Sequence, residues 1–178
     1  MTVRPIVLFG DPVLRSPTQP VTVFDQQLRQ LVTDLLDTVD DPGRAGVAAT
    51  QIGVDLRAFS YNVEGKRGYV LNPELIELSE ETQRDDEACL SVPDLWYPTT
   101  RAMHATVRGV DIDNEPVIVS GSELMARCLQ HEVDHLDGLL YLDRLDAPER
   151  KAAMRALRRT ALAAETTSAS HHSNSLKI

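Results

Sequence analysis

The pentapeptide His131-Glu132-Val133-Asp134-His135 constrains this chain more than any other stretch, because it implies both a local conformation and a chemistry. Histidines four apart on a helix project from one face about one turn apart, so their imidazoles can share a single cation. Glu132, one residue along, then faces a water on that cation as a general base. A five-residue pattern also arises by chance on a solvated helix face. Against that reading, Leu124, Cys128, His131 and His135 follow one another at spacings of four, three and four, a single stripe that turns the histidines inward.

An open catalytic site on a tetrahedral metal takes three protein ligands and leaves one position free. The third ligand must come from elsewhere in the chain. His104 reads as mid-strand, and His171 and His172 sit in a Ser/Thr-rich tail. Of the two cysteines, Cys128 lies three residues before His131 on the same stripe and reads as a small buried core residue. Cys89 occupies a polar-to-apolar junction, Glu87-Ala88-Cys89-Leu90-Ser91, and is assigned as the thiolate ligand. A His₂Cys set accepts Fe²⁺, Zn²⁺, Ni²⁺ or Co²⁺, and affinity order alone does not choose among them.

At this point the sequence resembles a known family. Gly46-Val47-Ala48-Ala49-Thr50-Gln51, Glu87-Ala88-Cys89-Leu90-Ser91 and Gln130-His131-Glu132-Val133-Asp134-His135 match, in order, the peptide deformylase motifs GxGxAAxQ, EGCLS and QHExDH. Gly10-Asp11-Pro12-Val13-Leu14-Arg15 is similar to the family's opening, and the likeness covers roughly residues 5 to 146. Two positions depart from the pattern: Arg44 stands where the first motif has its first glycine, and Ala88 where the second motif has glycine.

The resemblance implies hydrolysis of the N-formyl group from the initiator methionine of new polypeptides, with release of formate. It assigns the Gln51 side-chain amide and the Leu90 backbone N–H to the developing oxyanion, and makes Fe²⁺ the expected ion, with Zn²⁺, Ni²⁺ or Co²⁺ as substitutes. Without it, Gln51 reads as an ordinary surface or turn residue. Arg44, Gly46, Val47, Glu87, Ala88, Arg127 and Cys128 are expected along the substrate cleft, with Arg44 at its rim or turned into solvent. Arg101 and Glu87 resemble a charge pair that orients the cysteine loop. Nascent chains imply work near the ribosome. The first alternative, suggested by Arg44 and Ala88, is a specialised or weakly active deformylase relative with altered substrate preference; behind it stand an HExxH protease and a non-catalytic relative that keeps the metal for folding, although a structural zinc site would be closed by four ligands and only three are found.

Along the chain, Ile6-Val7-Leu8 reads as a short strand and residues 25 to 40 as a core-facing helix, with Leu28, Leu31, Val32, Leu35, Leu36 and Val39 at helical spacing behind an Asp25 cap. Ala58–Asn62 and Tyr69–Asn72 read as strands around a turn at Gly65, and Leu75–Leu78 as another. Met103–Ile112 and Pro116–Ser120 form a hairpin about Asp113-Asn114, Tyr141–Leu145 is short and irregular or extended, and Pro148–Ala164 is a final helix. Strands grouped ahead of the metal helix, without βαβ alternation, give an α+β class: antiparallel sheets around a central HExxH helix. Residues 1–165 read as one catalytic domain and 166–178 as a mobile tail.

The 178 residues are enough for one sizeable core. No apolar run approaches the ~18 residues that span a bilayer, and Met1-Thr2-Val3-Arg4-Pro5 does not open a secretory signal. With one cysteine committed to metal no disulfide framework remains, so a cytoplasmic setting is expected. A formal charge of −9 argues against general nucleic-acid binding.

Overall fold

The computed structural model describes residues 3–173, with side chains described through Thr160. Helix α1 (Gln26–Val39) follows the apolar spacing of its sequence, and Asp25 caps it by accepting from the Gln27 and Leu28 N–H groups. Seven strands follow: β1 (Gly46–Ala48), β2 (Ala58–Val63), β3 (Lys66–Leu78), β4 (Thr82–Cys89), β5 (Val92–Ala102), β6 (His104–Val110) and β7 (Pro116–Ser122). Then come α2 (Glu123–Leu136), a 3₁₀ turn at Tyr141–Asp143, and α3 (Ala147–Ser173).

Five strands form an antiparallel sheet in the order β1-β2-β3-β6-β7, and β4 pairs with β5 in a separate ribbon. Period-two alternation sends Val47, Ala58 and Leu71 to one face, where they pack with α1. Their neighbours Ala48, Phe59 and Val70 go to the other face and pack with Met125, Cys128, Leu129 and Val133 of α2. The metal helix is thus buried on the sheet, and all but the first two of its residues are inaccessible. It stops directly after the second histidine: Gly138 adopts φ 75° and its N–H donates to the His135 carbonyl at 3.2 Å, a left-handed cap that glycine takes without strain. A third cluster packs Cys89 and Val92 of the β4–β5 ribbon against Leu140, Tyr141, Leu142 and Ala153. The ribbon and α2 are therefore held side by side, which brings Cys89 to the histidines.

Four local readings differ from the sequence expectation. Ile6–Leu8 joins no strand ladder; the Val7 and Phe9 N–H groups instead reach the Gln51 and Ser91 carbonyls at 2.8 and 2.7 Å. Tyr69–Asn72 and Leu75–Leu78 are one strand, β3, because a register shift against β6 between Leu71 and Glu74 absorbs the irregularity at Asn72-Pro73; a second shift follows between Leu75 and Glu77. The β4–β5 ribbon was not anticipated. Finally, α3 runs on to Ser173, into the segment expected as a tail, while 174–178 lie outside the described residues.

Candidate metal centre and cleft

Cys89, at the end of β4, meets His131 and His135 of α2 with one donor atom from each inside a 4.8 Å span. His135 Nε2 lies 3.2 Å from Cys89 Sγ. His131 Nδ1 is 2.7 Å from Glu87 Oε1, which leaves its other ring nitrogen for the centre of the cluster. All three ligand candidates are almost wholly buried.

A buried ion-pair network holds this geometry. Glu87 takes a bidentate pair from Arg101, with Nε–Oε2 at 3.0 Å and Nη2–Oε1 at 2.7 Å, so the two residues expected to pair are in direct contact. Arg127 Nη1 adds a contact to Glu87 at 3.3 Å. Arg101 reaches on to Asp134 at 2.6 Å, and Asp134 is gripped again by Arg144 at 2.5 and 3.1 Å. Asp134, between the two histidines in sequence, thereby ties α2 to β5 and to the turn ahead of α3. Sequence reasoning passed over Asp134 and Arg144; the first sits inside the HExxH motif, whereas Arg144 has no local signal.

The electrostatics suit a cation. Burial opposes ionisation of Cys89, yet the adjacent His135 and His131 hold its thiol well below the ordinary value. Burial likewise opposes the charge on His131, but Cys89 and Glu87 keep its proton bound well above the usual histidine range, so an ion binding there would displace that proton. Glu87 is held well below the usual carboxylate range: His131 and Arg101 overcome the effect of burial. Cys128 goes the other way, pushed up by burial and by Glu132 and Glu87, and so is a neutral thiol whose Sγ meets the Ala45 carbonyl at 3.3 Å.

Glu132 is the exception within the site. Burial pushes its carboxyl up to about 7, and Oε2 has no hydrogen-bond partner among the described residues. It lies against Gly46, where a β-carbon would stand 2.7 Å from Glu132 Cγ and Cδ. Gln51 is oriented by its own backbone: Oε1 accepts from Ala48 N–H at 2.9 Å, and Nε2 points toward Cys89 Sγ at 3.6 Å. These groups form the inner end of a cleft of about 500 Å³, also lined by Leu90, Arg127 and Cys128.

Comparison with known proteins gives this geometry its context. Residues 3–151 match the family model for polypeptide deformylase. The chain belongs to the polypeptide deformylase family. A peptide deformylase of Acidothermus cellulolyticus is 56% identical over 166 residues, covering 93% of this chain and 92% of the relative. One of Parafrankia is 48% identical over 159 residues, covering 89% and 87%. The crystal structure of a peptide deformylase from Legionella pneumophila superposes with a TM-score of 0.83 at 35% identity, covering 92% of this chain and 98% of that one. Family membership removes the HExxH protease from the readings that the sequence left open.

The deformylase motifs can now be placed residue by residue. Gly46, Glu87 and Ala88 line the cleft, but the Val47 side chain does not: it is fully buried toward α1. Ala88 has no left-handed backbone, so a methyl in place of the family's glycine brings no conformational strain. Arg44 lines the cleft, as expected, but neither as a free charge nor turned to solvent. Its guanidinium donates to the Thr38 carbonyl at 2.9 Å and pairs with Asp41 at 2.6 Å, folded back onto the C-terminal end of α1.

Proposed function

We propose that this chain removes the N-formyl group from the N-terminal formylmethionine of newly made polypeptides, and that Fe²⁺ is its working ion, with Zn²⁺, Ni²⁺ or Co²⁺ able to replace it. The observation that carries the reading is the convergence of Cys89, His131 and His135 on one point beside Glu132, at the closed end of a peptide-sized cleft. The donor set fits such an ion: an acidified thiol, two imidazoles, and a Glu87 carboxylate fixing one of them. When bound, the ion supplies Lewis acidity and acidifies water enough for use near neutral pH.

The protein's own groups account for the remaining steps. Glu132 takes the proton from the attacking water and passes it to the departing amine nitrogen, so the C–N bond breaks and formate leaves. A buried carboxyl beside the reacting water is placed for both proton transfers. Gln51 Nε2 and the Leu90 backbone N–H donate to the carbonyl oxygen as it becomes an oxyanion, and Gln51 is pre-set for this because its oxygen is already held by Ala48. Gly46 keeps Glu132 free of a blocking side chain, and Arg101, through Glu87, orients His131. The substrate is a nascent chain, so the work belongs in the cytoplasm near the ribosome. Formate release from a formyl-Met peptide, with metal content measured on the same anaerobic preparation, tests the reading.

A further inference from the structure

We infer that Tyr141 is a positioning residue that joins the metal centre to the cleft wall: its ring fixes the plane of the His131 imidazole, and its hydroxyl holds the backbone of residues 92–96 in place for substrate. The inference rests on the deformylase reading for its kinetic consequence alone, and it concerns a side chain that does not line the cleft.

The wall needs such a tie. Between the Cys89–Val92 and Glu87–Tyr97 pairs, β4 advances two residues while β5 advances five, so residues 93–96 leave the ladder as a bulge. Asp94 turns through a left-handed φ of 62° within it. Val92, Pro93, Asp94 and Trp96 line the cleft, whereas Leu95 packs behind it into the cluster of Cys89, Leu140 and Tyr141. The Tyr141 hydroxyl donates to the Leu95 carbonyl at 3.0 Å, and among the described residues no other side chain bonds to the bulge.

The same side chain reaches the metal centre. Tyr141 is 1% exposed, and its ring lies nearly parallel to that of His131, at 19° and 6.4 Å between centroids. His135 meets the His131 ring edge-on at 5.0 Å, and Glu87 holds its Nδ1, so the Tyr141 ring adds a third constraint on how the imidazole tilts. Tyr141 is presented by the turn after α2, where the Asp143 carboxylate accepts from the Leu140 N–H at 2.9 Å. The helix that carries both histidines thus leads directly into the residue that grips the wall. A buried tyrosine hydroxyl needs an acceptor wherever it sits, but packing alone does not require that acceptor to be a carbonyl within the bulge.

Two substitutions separate the ring from the hydroxyl. Tyr141→Phe keeps the ring: amide hydrogen exchange across residues 92–97 should quicken about fivefold, and KM for a formyl-Met peptide should rise by a similar factor with kcat changed less than about twofold. Its affinity for Ni²⁺, read by competition with a chromophoric chelator, should match wild type. Tyr141→Leu removes the ring as well and should weaken Ni²⁺ binding about tenfold relative to Tyr141→Phe. Tyr141→Met, nearer in bulk, takes its place if the leucine variant does not fold. Wild-type exchange or wild-type KM in Tyr141→Phe, whatever its Tm, would overturn the tie to the wall, because a hydroxyl serving stability alone moves neither. Equal Ni²⁺ affinity in the phenylalanine and ring-less variants would overturn the tie to His131. Absence of formate with metal-loaded wild type would sink the deformylase reading instead, leaving exchange and Ni²⁺ binding, which need no turnover, to decide the inference.

Discussion

Gly46 and Glu132 are packed so closely that a β-carbon at position 46 would stand 2.7 Å from both Cγ and Cδ of the glutamate. The first motif and the HExxH helix therefore interlock, and the glycine's role is to make room for the general base. The sequence placed Gly46 along the substrate cleft, which it lines; the structure adds that it also seats the glutamate. Gly46→Ala should displace Glu132 and lower kcat by at least about tenfold, since a positioned acid/base contributes ~10²–10⁴-fold. Metal content should be retained. Wild-type kcat in that variant would show that the carboxylate's position is not set by Gly46.

Glu132→Gln separates proton transfer from packing. Turnover should fall by at least ~10²-fold with metal still bound, because the amide keeps the shape and loses the base. The metal-free protein offers a second readout. The folded carboxyl is raised from 4.5 to about 7 by burial, so the stability of the neutral form is fully present below 4.5 and is lost as pH rises through 7. Glutamine carries no such penalty. Metal-free Glu132→Gln should be more stable than wild type at pH ~8, by on the order of 3 kcal/mol, with the gap closing toward pH ~4.5. Parallel pH–stability curves would contradict the burial argument.

Glu87 has the opposite sign. Its folded value is depressed by His131 and Arg101 despite burial, so its contribution is present above the unfolded value of 4.5 and is lost as pH falls below it. Glu87→Gln leaves Arg101 and Arg127 short of a buried counter-charge, and breaking such a pair costs about 3–5 kcal/mol. Thermal unfolding should show that loss at neutral pH and a flatter acid limb than wild type. A variant with unchanged Tm would make the network incidental.

Arg44 should matter for stability and not for peptide charge. Its guanidinium is tied to Thr38 and Asp41, so Arg44→Gly should cost about 1 kcal/mol while the ratio of kcat/KM for acidic and neutral formyl peptides stays as in wild type. A changed ratio would place Arg44 in contact with substrate after all.

What the sequence made legible was whatever depends on local periodicity or on residue chemistry. Helix α1 and the HExxH helix follow apolar spacing, and Cys89 stood out because only a thiolate completed the ligand set. The β4–β5 ribbon was missed because Thr82–Cys89 carries adjacent Asp85, Asp86 and Glu87, residues poor in strand propensity; pairing with β5 and packing on α2 override that preference. Arg44 read as a free charge because its partners, Thr38 and Asp41, lie across a helix end whose geometry a linear pattern does not carry. Arg144 and Trp96 gave no periodic signal, and their positions depend on how the ribbon and the turn after α2 dock.

The ligand set is tested by Cys89→Ser. A hydroxyl is harder and less readily ionised than a thiol, so metal occupancy after dialysis should fall well below wild type or shift toward a different ion. Unchanged occupancy and activity would point to another third ligand.

The most direct measurement of the central claim is formate released from a formyl-Met peptide by anaerobically prepared enzyme, with bound metal quantified in the same sample. The account predicts one ion per chain, formate release proportional to occupancy, and loss of both when a chelator strips the site. Full metal occupancy with no formate, or formate release that survives complete removal of the ion, would contradict it.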